Sequence, residues 1–256
     1  MHSCLLTPAA GKRLIAKAIA KHAAVSEALQ RATIVVVAGT TNGYVAEELL
    51  DLIGQKKNFS KVGFYRGVTM TEAAEAEHVT KMKEGKIVFP GDVVIRKGTW
   101  LKGKTINDVA DELKEGDVIL KGANSVNLAQ KQAAVFIGHP KGGTIAVSLQ
   151  AAIGRRVRLI LPIGLEKRVN EDLNVLAMQL NAPGSTGHRI LPVPGEVVTE
   201  IEALKILADV EGCVLGGGGV YGAEGAVWLG MAGNEDAIAK AEALLKAAAA
   251  EPLFSY

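Results

Sequence analysis

The stretch Thr33-Ile-Val-Val-Val-Ala-Gly-Thr-Thr-Asn-Gly43, running directly into Tyr44-Val-Ala-Glu-Glu-Leu-Leu50, decides how this chain is read. Its β-branched apolar run has no polar face, the pattern of a strand buried on both sides. The segment after it has the spacing of an amphipathic helix beginning near Tyr44. The turn between them, residues 39–43, therefore lies where backbone amides face outward at the positive end of a helix. Gly39 and Gly43 let a ligand approach the backbone closely, Thr40 and Thr41 add hydroxyl donors, and Asn42 completes the candidate set. An anion suits such a turn. The turn is neither a Walker loop nor a G-x-G-x-x-G fingerprint, and on its own it reads equally as an ordinary strand–helix turn with a Thr/Asn cap.

Working outward, residues 9–29 have the spacing of one helix, with Leu14, Ala18, Val25 and Leu29 on a shared face and Lys12, Lys17 and Lys21 in water. No second helix is expected before the first strand, which argues against a helix-turn-helix at this end. Strands are expected at 61–66, 86–89, 92–96, 117–121, 133–137 and 158–163, with a Pro90-Gly91 turn inside the series and a loop at 98–103. Helices are expected at 71–82, 106–113 and 145–153. This alternation implies a mostly parallel, Rossmann-like sheet with helices on both faces, and in such sheets ligands bind beyond the C-terminal strand edges. Four polar loops, 39–43, 121–127, 138–144 and 164–167, fall at that edge and would form one crevice.

The character changes after residue 187. A strand at 189–194, a helix at 200–207, a hairpin of 212–216 with 225–230 and a helix at 236–249 give the order β-α-β-β-α of a small ferredoxin-like unit. The expected organisation is an α/β ligand-binding domain over residues 1–181 and a small α+β domain over 187–256, with 182–187 as hinge. At 256 residues the chain is long enough for both. The 29 basic and 27 acidic residues nearly cancel, which gives no electrostatic reason to expect nucleic acid or an anionic membrane. Cys4 and Cys213 are far apart and unsuited to a metal or disulfide framework, so neither metal nor cofactor is expected. Without a signal-peptide pattern or an apolar run of membrane-spanning length, the expectation is a cytoplasmic protein. The Ala-rich C-terminal helix suggests packing or an oligomer surface, and a homo-oligomer, dimer or tetramer, is expected.

Two loops together resemble something known. Asp117-Val-Ile-Leu-Lys-Gly-Ala-Asn-Ser-Val-Asn127 is similar to the D-x-x-x-D-G-A-D-E-x-D loop of ribose-5-phosphate isomerase type A, and to L-G-A-D-G-I-D of the sugar-phosphate-sensing domain of DeoR-type repressors. Gly39-Thr-Thr-Asn resembles the phosphate loop of the same superfamily, which also includes glucosamine-6-phosphate deaminase and CoA-transferase-like folds. Lys97-Gly-Thr-Trp-Leu resembles the repressors' G-G-T-L-R, and the isomerases carry a small ferredoxin-like domain late in the chain. The resemblance implies a phosphorylated, sugar-like ligand.

The departures are as informative. Where the isomerases' loop is acidic this chain has Lys121, Asn124 and Ser125, and an amide accepts no proton near neutral pH. The isomerases' K-G-G-G-A loop best matches Lys141-Gly142-Gly143-Thr144, but the following helix holds Ser148 and Gln150 in place of a catalytic carboxylate. Ordinary pentose-phosphate isomerase activity is therefore not expected. The expected binding set is residues 39–43 with Gly122, Lys141, Gly142, Gly143, Thr144 and Lys167. Lys121, Asn124 and His139 face the rest of the ligand, with His139 as the base of an isomerase-like or lyase-like step. Glu166-Lys167 occupy the place of the family's E-S-K loop and otherwise read as a surface ion pair. A non-catalytic sensor using the same pocket is the alternative. Acyl or CoA transfer through Glu224, in the glycine-rich turn, is a weaker one.

Overall fold

The computed structural model of the chain describes residues 1–254. From the N-terminus, β1 (His2–Leu6) leads into α1 (Pro8–Lys21) and α2 (Ala23–Arg31), then β2 (Thr33–Val36) and α3 (Thr40–Leu52). Next come α4 (Glu72–Lys83), the hairpin β3 (Val93–Arg96) and β4 (Thr99–Trp100), α5 (Ile106–Val109) and β5 (Val118–Leu120). They are followed by β6 (Ser125–Asn127), β7 (Gln132–Ile137), α6 (Gly143–Arg155), β8 (Arg158–Pro162) and α7 (Leu173–Leu180). Last in order are β9 (Arg189–Val193), β10 (Glu196–Val198), α8 (Glu200–Ala208), β11 (Glu211–Gly217), β12 (Val227–Ala232) and α9 (Glu235–Ala249).

The fold is α/β. Its centre is a six-stranded mixed sheet of order β10-β8-β5-β2-β3-β4, in which β10, β8, β5 and β2 run parallel and β3 and β4 form an antiparallel edge. Strand periodicity sends alternate residues to opposite faces. Ile34, Val36, Val118, Leu120 and Ile160 join the core made with α1, α3, α8 and α9, while Val35, Val37, Ile119, Leu159 and Leu161 pack against α5 and α6 on the other side. A strand without a polar face is stable only when covered twice, and each such side chain contributes about 2 kcal/mol. Because Val36 pairs with Leu120, and Leu120 with Ile160, the loops after β2, β5 and β8 leave the sheet at one edge. The antiparallel β3 begins at that same edge, where Val93 pairs with Val36 and brings Asp92 beside it.

Several expected elements differ. The helix expected over 9–29 is two helices, because His22 is extended (ψ 129°) and its Nε2 lies 2.9 Å from a Glu196 carboxylate oxygen. A second helix therefore does precede β2, the strand expected first, and the unexpected β1 precedes both helices. Residues 61–66 and 86–89 form no strand: the free side of β2 is taken by β3, so 61–66 instead tucks Phe64 into the core. The loop expected at 98–103 begins as β4, closing on β3 through a two-residue turn with Lys97 and Gly98 at positive φ. β7 leaves the main sheet and pairs antiparallel with β6 and β9.

The ferredoxin-like unit is not formed as one sheet. Its expected first strand, 189–194, forms as β9 but pairs with β7, and β10, which was not expected, follows it and adds to the main sheet beside β8. β11 and β12 do form the expected hairpin, but β12's other edge is filled by β1. One apolar core runs from Leu6 on β1 through α1 and α3 to Leu245 and Ala248 on α9. Among the described residues, no helix is long and apolar enough to cross a membrane.

Candidate functional site

At the rim where β2 and β5 end, α3 starts at Thr40, a full turn earlier than expected, so Thr40–Gly43 are helical residues. Gly43 N–H is the first amide to find an intrahelical partner, Gly39 O at 2.9 Å. The three amides before it belong to the uncapped first turn, since Gly39 offers no side chain. Gly39 itself is extended, with φ 178°, and any residue could adopt that backbone.

The side chains of this turn divide. Asn42 is fully buried and donates to Val37 O at 2.7 Å and Leu120 O at 2.9 Å, clasping the ends of β2 and β5. Neighbouring carbonyls thus take up the NH₂ of Asn42, expected to face a ligand, while its Oδ1 is buried without a partner. Gly43 is likewise a packing residue, since a Cβ there would stand 3.0 Å from the Lys61 Cβ. Thr41 is 2% exposed, and its Oγ1 has no hydrogen-bond partner although it lines a cavity.

That cavity, about 190 Å³, is also lined by Thr40, Gly122, Asn124, Lys121, Lys167 and Arg66. A larger one of about 620 Å³ shares Ala38, Arg66, Gly67, Lys121 and Asn124 with it and extends to His139, Lys141, Gly142, Gly143 and Thr144. All four loops expected at one crevice thus line the larger or smaller cavity, 164–167 through Lys167. They meet by another route than a continuous parallel sheet, because β7 carries 138–144 to the rim from a separate antiparallel sheet.

Electrostatically the rim is cationic. Lys121 is half-buried, and its Nζ donates only to Gly122 O at 3.1 Å. Burial, reinforced by Lys167 and Arg66 and opposed by Asp92, pushes its ammonium down to about 8. Lys167 donates to Ala123 O at 2.9 Å and is pushed down by burial and by Lys12, with Glu166 and Glu200 opposing. Arg66 bonds Asp92 through Nη2 at 3.2 Å and lies over the Phe89 ring, while its Nη1 is buried without a partner. Asp92 is itself occupied, accepting from Ala38 N at 2.9 Å and Ile106 N at 2.7 Å. Arg66 was hidden inside an expected strand; its only sequence signal is its place between Gly63 and Gly67 in an aromatic-rich segment.

The remaining expected residues sort as follows. His139 is exposed at the larger cavity, and its Nδ1 accepts the Lys141 amide at 3.1 Å. That contact leaves Nε2 as the ring nitrogen without a hydrogen-bond partner among the described residues. Asn124 Oδ1 accepts Phe136 N at 3.0 Å, leaving its NH₂ as a donor. Gly142 and Gly143 have positive φ and form the uncapped start of α6, where a Cβ on Gly142 would meet Ala146 Cβ at 2.8 Å. Glu166 makes no surface pair with Lys167: it is held by Lys12 at 2.7 Å in a cluster with the buried Glu200. Glu224 is exposed, caps the Gly222 amide of its own turn at 2.9 Å and lines neither cavity.

Compared with protein-family models, with curated proteins and with solved structures, the chain matches none.

Proposed function

We propose that the protein binds a phosphorylated small molecule, sugar-phosphate-like in size, with the phosphate at the first turn of α3. One observation carries this reading: Thr41, whose hydroxyl is buried without a partner, lines a cavity at an uncapped helix start together with Lys121, Lys167 and Arg66. A buried hydroxyl left unpaired costs about 1–3 kcal/mol, and a phosphate oxygen would relieve that cost while meeting the helix amides and the cations. The 620 Å³ cavity beyond has room for the rest of a sugar phosphate, with Asn124 and His139 lining it.

The same reading treats the chain as a distant relative of the ribose-5-phosphate isomerase and DeoR-sensor superfamily with a Rossmann-like centre. What supports it is the meeting of residues 39–41 with 121–124 at one rim. Pentose isomerisation in the family's manner is not part of the proposal: of the carboxylates near the rim, Asp92 accepts two amides and Glu166 holds Lys12 through Oε1. Self-association is part of the proposal, supported by the exposed Leu5, Leu215 and Trp228 on the β1-β12-β11 sheet. Light scattering on the purified protein tests it.

The binding test is thermal unfolding with inorganic phosphate, pyrophosphate and ribose 5-phosphate. A ligand at about a hundredfold over its Kd adds about 3 kcal/mol. The expected result is a shift in the wild type that Thr41→Val abolishes; equal shifts in the two proteins remove the phosphate from α3.

A further inference from the structure

We propose that Lys121 is a nucleophilic amine that forms an imine with the carbonyl carbon of a small phosphorylated aldehyde or ketone held at this rim. The inference rests on the phosphate reading above and adds the chemistry that reading leaves open.

Lys121 is the one lysine that lines both cavities, so its amine stands where the phosphate end and the remainder of a bound molecule would meet. It has no carboxylate partner among the described residues: its only bond is to the Gly122 carbonyl, whereas Lys12 and Lys61 are tied to carboxylates. Burial and two further cations, Lys167 and Arg66, disfavour its protonation, and the carboxylate that opposes them, Asp92, is held by two amides and Arg66. A lysine among cations in a partly apolar cleft is the setting in which the neutral amine becomes accessible. With its proton affinity pushed down to about 8, Lys121 holds on the order of a hundredfold more neutral amine at about pH 7 than an ordinary lysine.

The step balances within the pair. The amine lone pair attacks the carbonyl carbon, the C–N bond forms as the C=O π pair moves to oxygen, and the amine's two hydrogens leave with that oxygen as water. Hydrolysis reverses the sequence. While it lasts, the imine withdraws electrons from the adjacent carbon, which suits proton abstraction or carbon–carbon cleavage.

The test uses pyridoxal 5′-phosphate with borohydride, which delivers hydride to the imine carbon and fixes the adduct, followed by peptide mapping. Near neutral pH the expected result is labelling of Lys121 far ahead of the exposed lysines, protection by inorganic phosphate, and loss of that fast label in Lys121→Arg. Lys121 left unlabelled, or labelled no faster than exposed lysines away from the rim such as Lys57, overturns the imine. The two readings fail separately. A protein that is stabilised by phosphate yet unlabelled at Lys121 keeps the anion site and loses the imine. A protein labelled there as fast by pyridoxal as by its phosphate overturns the dependence on the phosphate site.

Discussion

Replacing Glu200 with Gln removes a carboxyl group that the fold buries without a cation of its own. Glu200 is 3% exposed, and Oε2 accepts the Leu165 amide at 2.9 Å. Its other oxygen occupies a hollow that exists because residue 11 is glycine: a Cβ there would come within 2.2 Å. Lys12, the adjacent cation, is committed to Glu166 at 2.7 Å. Burial first, and then the charge of Glu166, push the Glu200 carboxyl up to about 8 from an ordinary 4.5. Between those values the native state keeps a proton that the unfolded chain has released, so stability falls as pH rises; below the window both states are protonated and above it both are ionised. One proton corresponds to about 1.4 kcal/mol per pH unit, so wild type should lose up to about 3 kcal/mol relative to the variant between about pH 5.5 and pH 7.5. Glu166 acts outside this window. Lys12 and Lys167 hold it below 4.5 against its burial, so it destabilises only at lower pH. Urea unfolding of both proteins across the window is the assay. Parallel curves would refute the reasoning, because Glu200 would then be ionised in the folded protein.

Three further outcomes are expected. Thr41→Val should raise the stability of the unliganded protein by about 1 kcal/mol in chemical denaturation, since an unpaired buried hydroxyl is exchanged for a methyl group; a loss would mean the hydroxyl is bonded. Asn42→Ala should cost about 2 kcal/mol or more, because the carbonyls of Val37 and Leu120 lose their shared donor, and urea unfolding within about 0.5 kcal/mol of wild type would show that the clasp is unimportant. Asp92→Ala should cost about 3 kcal/mol or more through two orphaned amides and an unpaired Arg66. It should also weaken the phosphate-induced thermal shift, and a variant that unfolds like wild type would contradict the role given to Asp92.

Local signals carried much of the fold. The apolar run 33–37, the Thr71 cap of α4, the hairpin β11–β12 and the long helix α9 were legible because short-range periodicity and capping determine them. The rim loops were also legible as a group, since glycines and polar residues follow each buried run. What distant residues impose was not legible. The break at His22 is anchored by Glu196 from β10, and 61–66 lost its place in the sheet to β3. Which sheet β9 joins, and that β10 follows it into another, depends on which strand edges β7 and β8 left open.

The site shows the same division within a single turn. From the residues alone, Thr41 and Asn42 are neighbouring polar side chains of equal promise, and the chain by itself determined that a glycine-flanked polar turn would follow a doubly buried strand. Only the tertiary structure decided that the amide NH₂ of one clasps two strand-end carbonyls and the hydroxyl of the other is left without a partner. Successive helical residues point about 100° apart. That rotation aims the Asn42 NH₂ at carbonyls at the ends of β2 and β5 and leaves the Thr41 hydroxyl unpaired, and the groups around the turn, Leu120 and the cavity-lining Lys121, Lys167 and Arg66, arrive from strands and loops far along the chain.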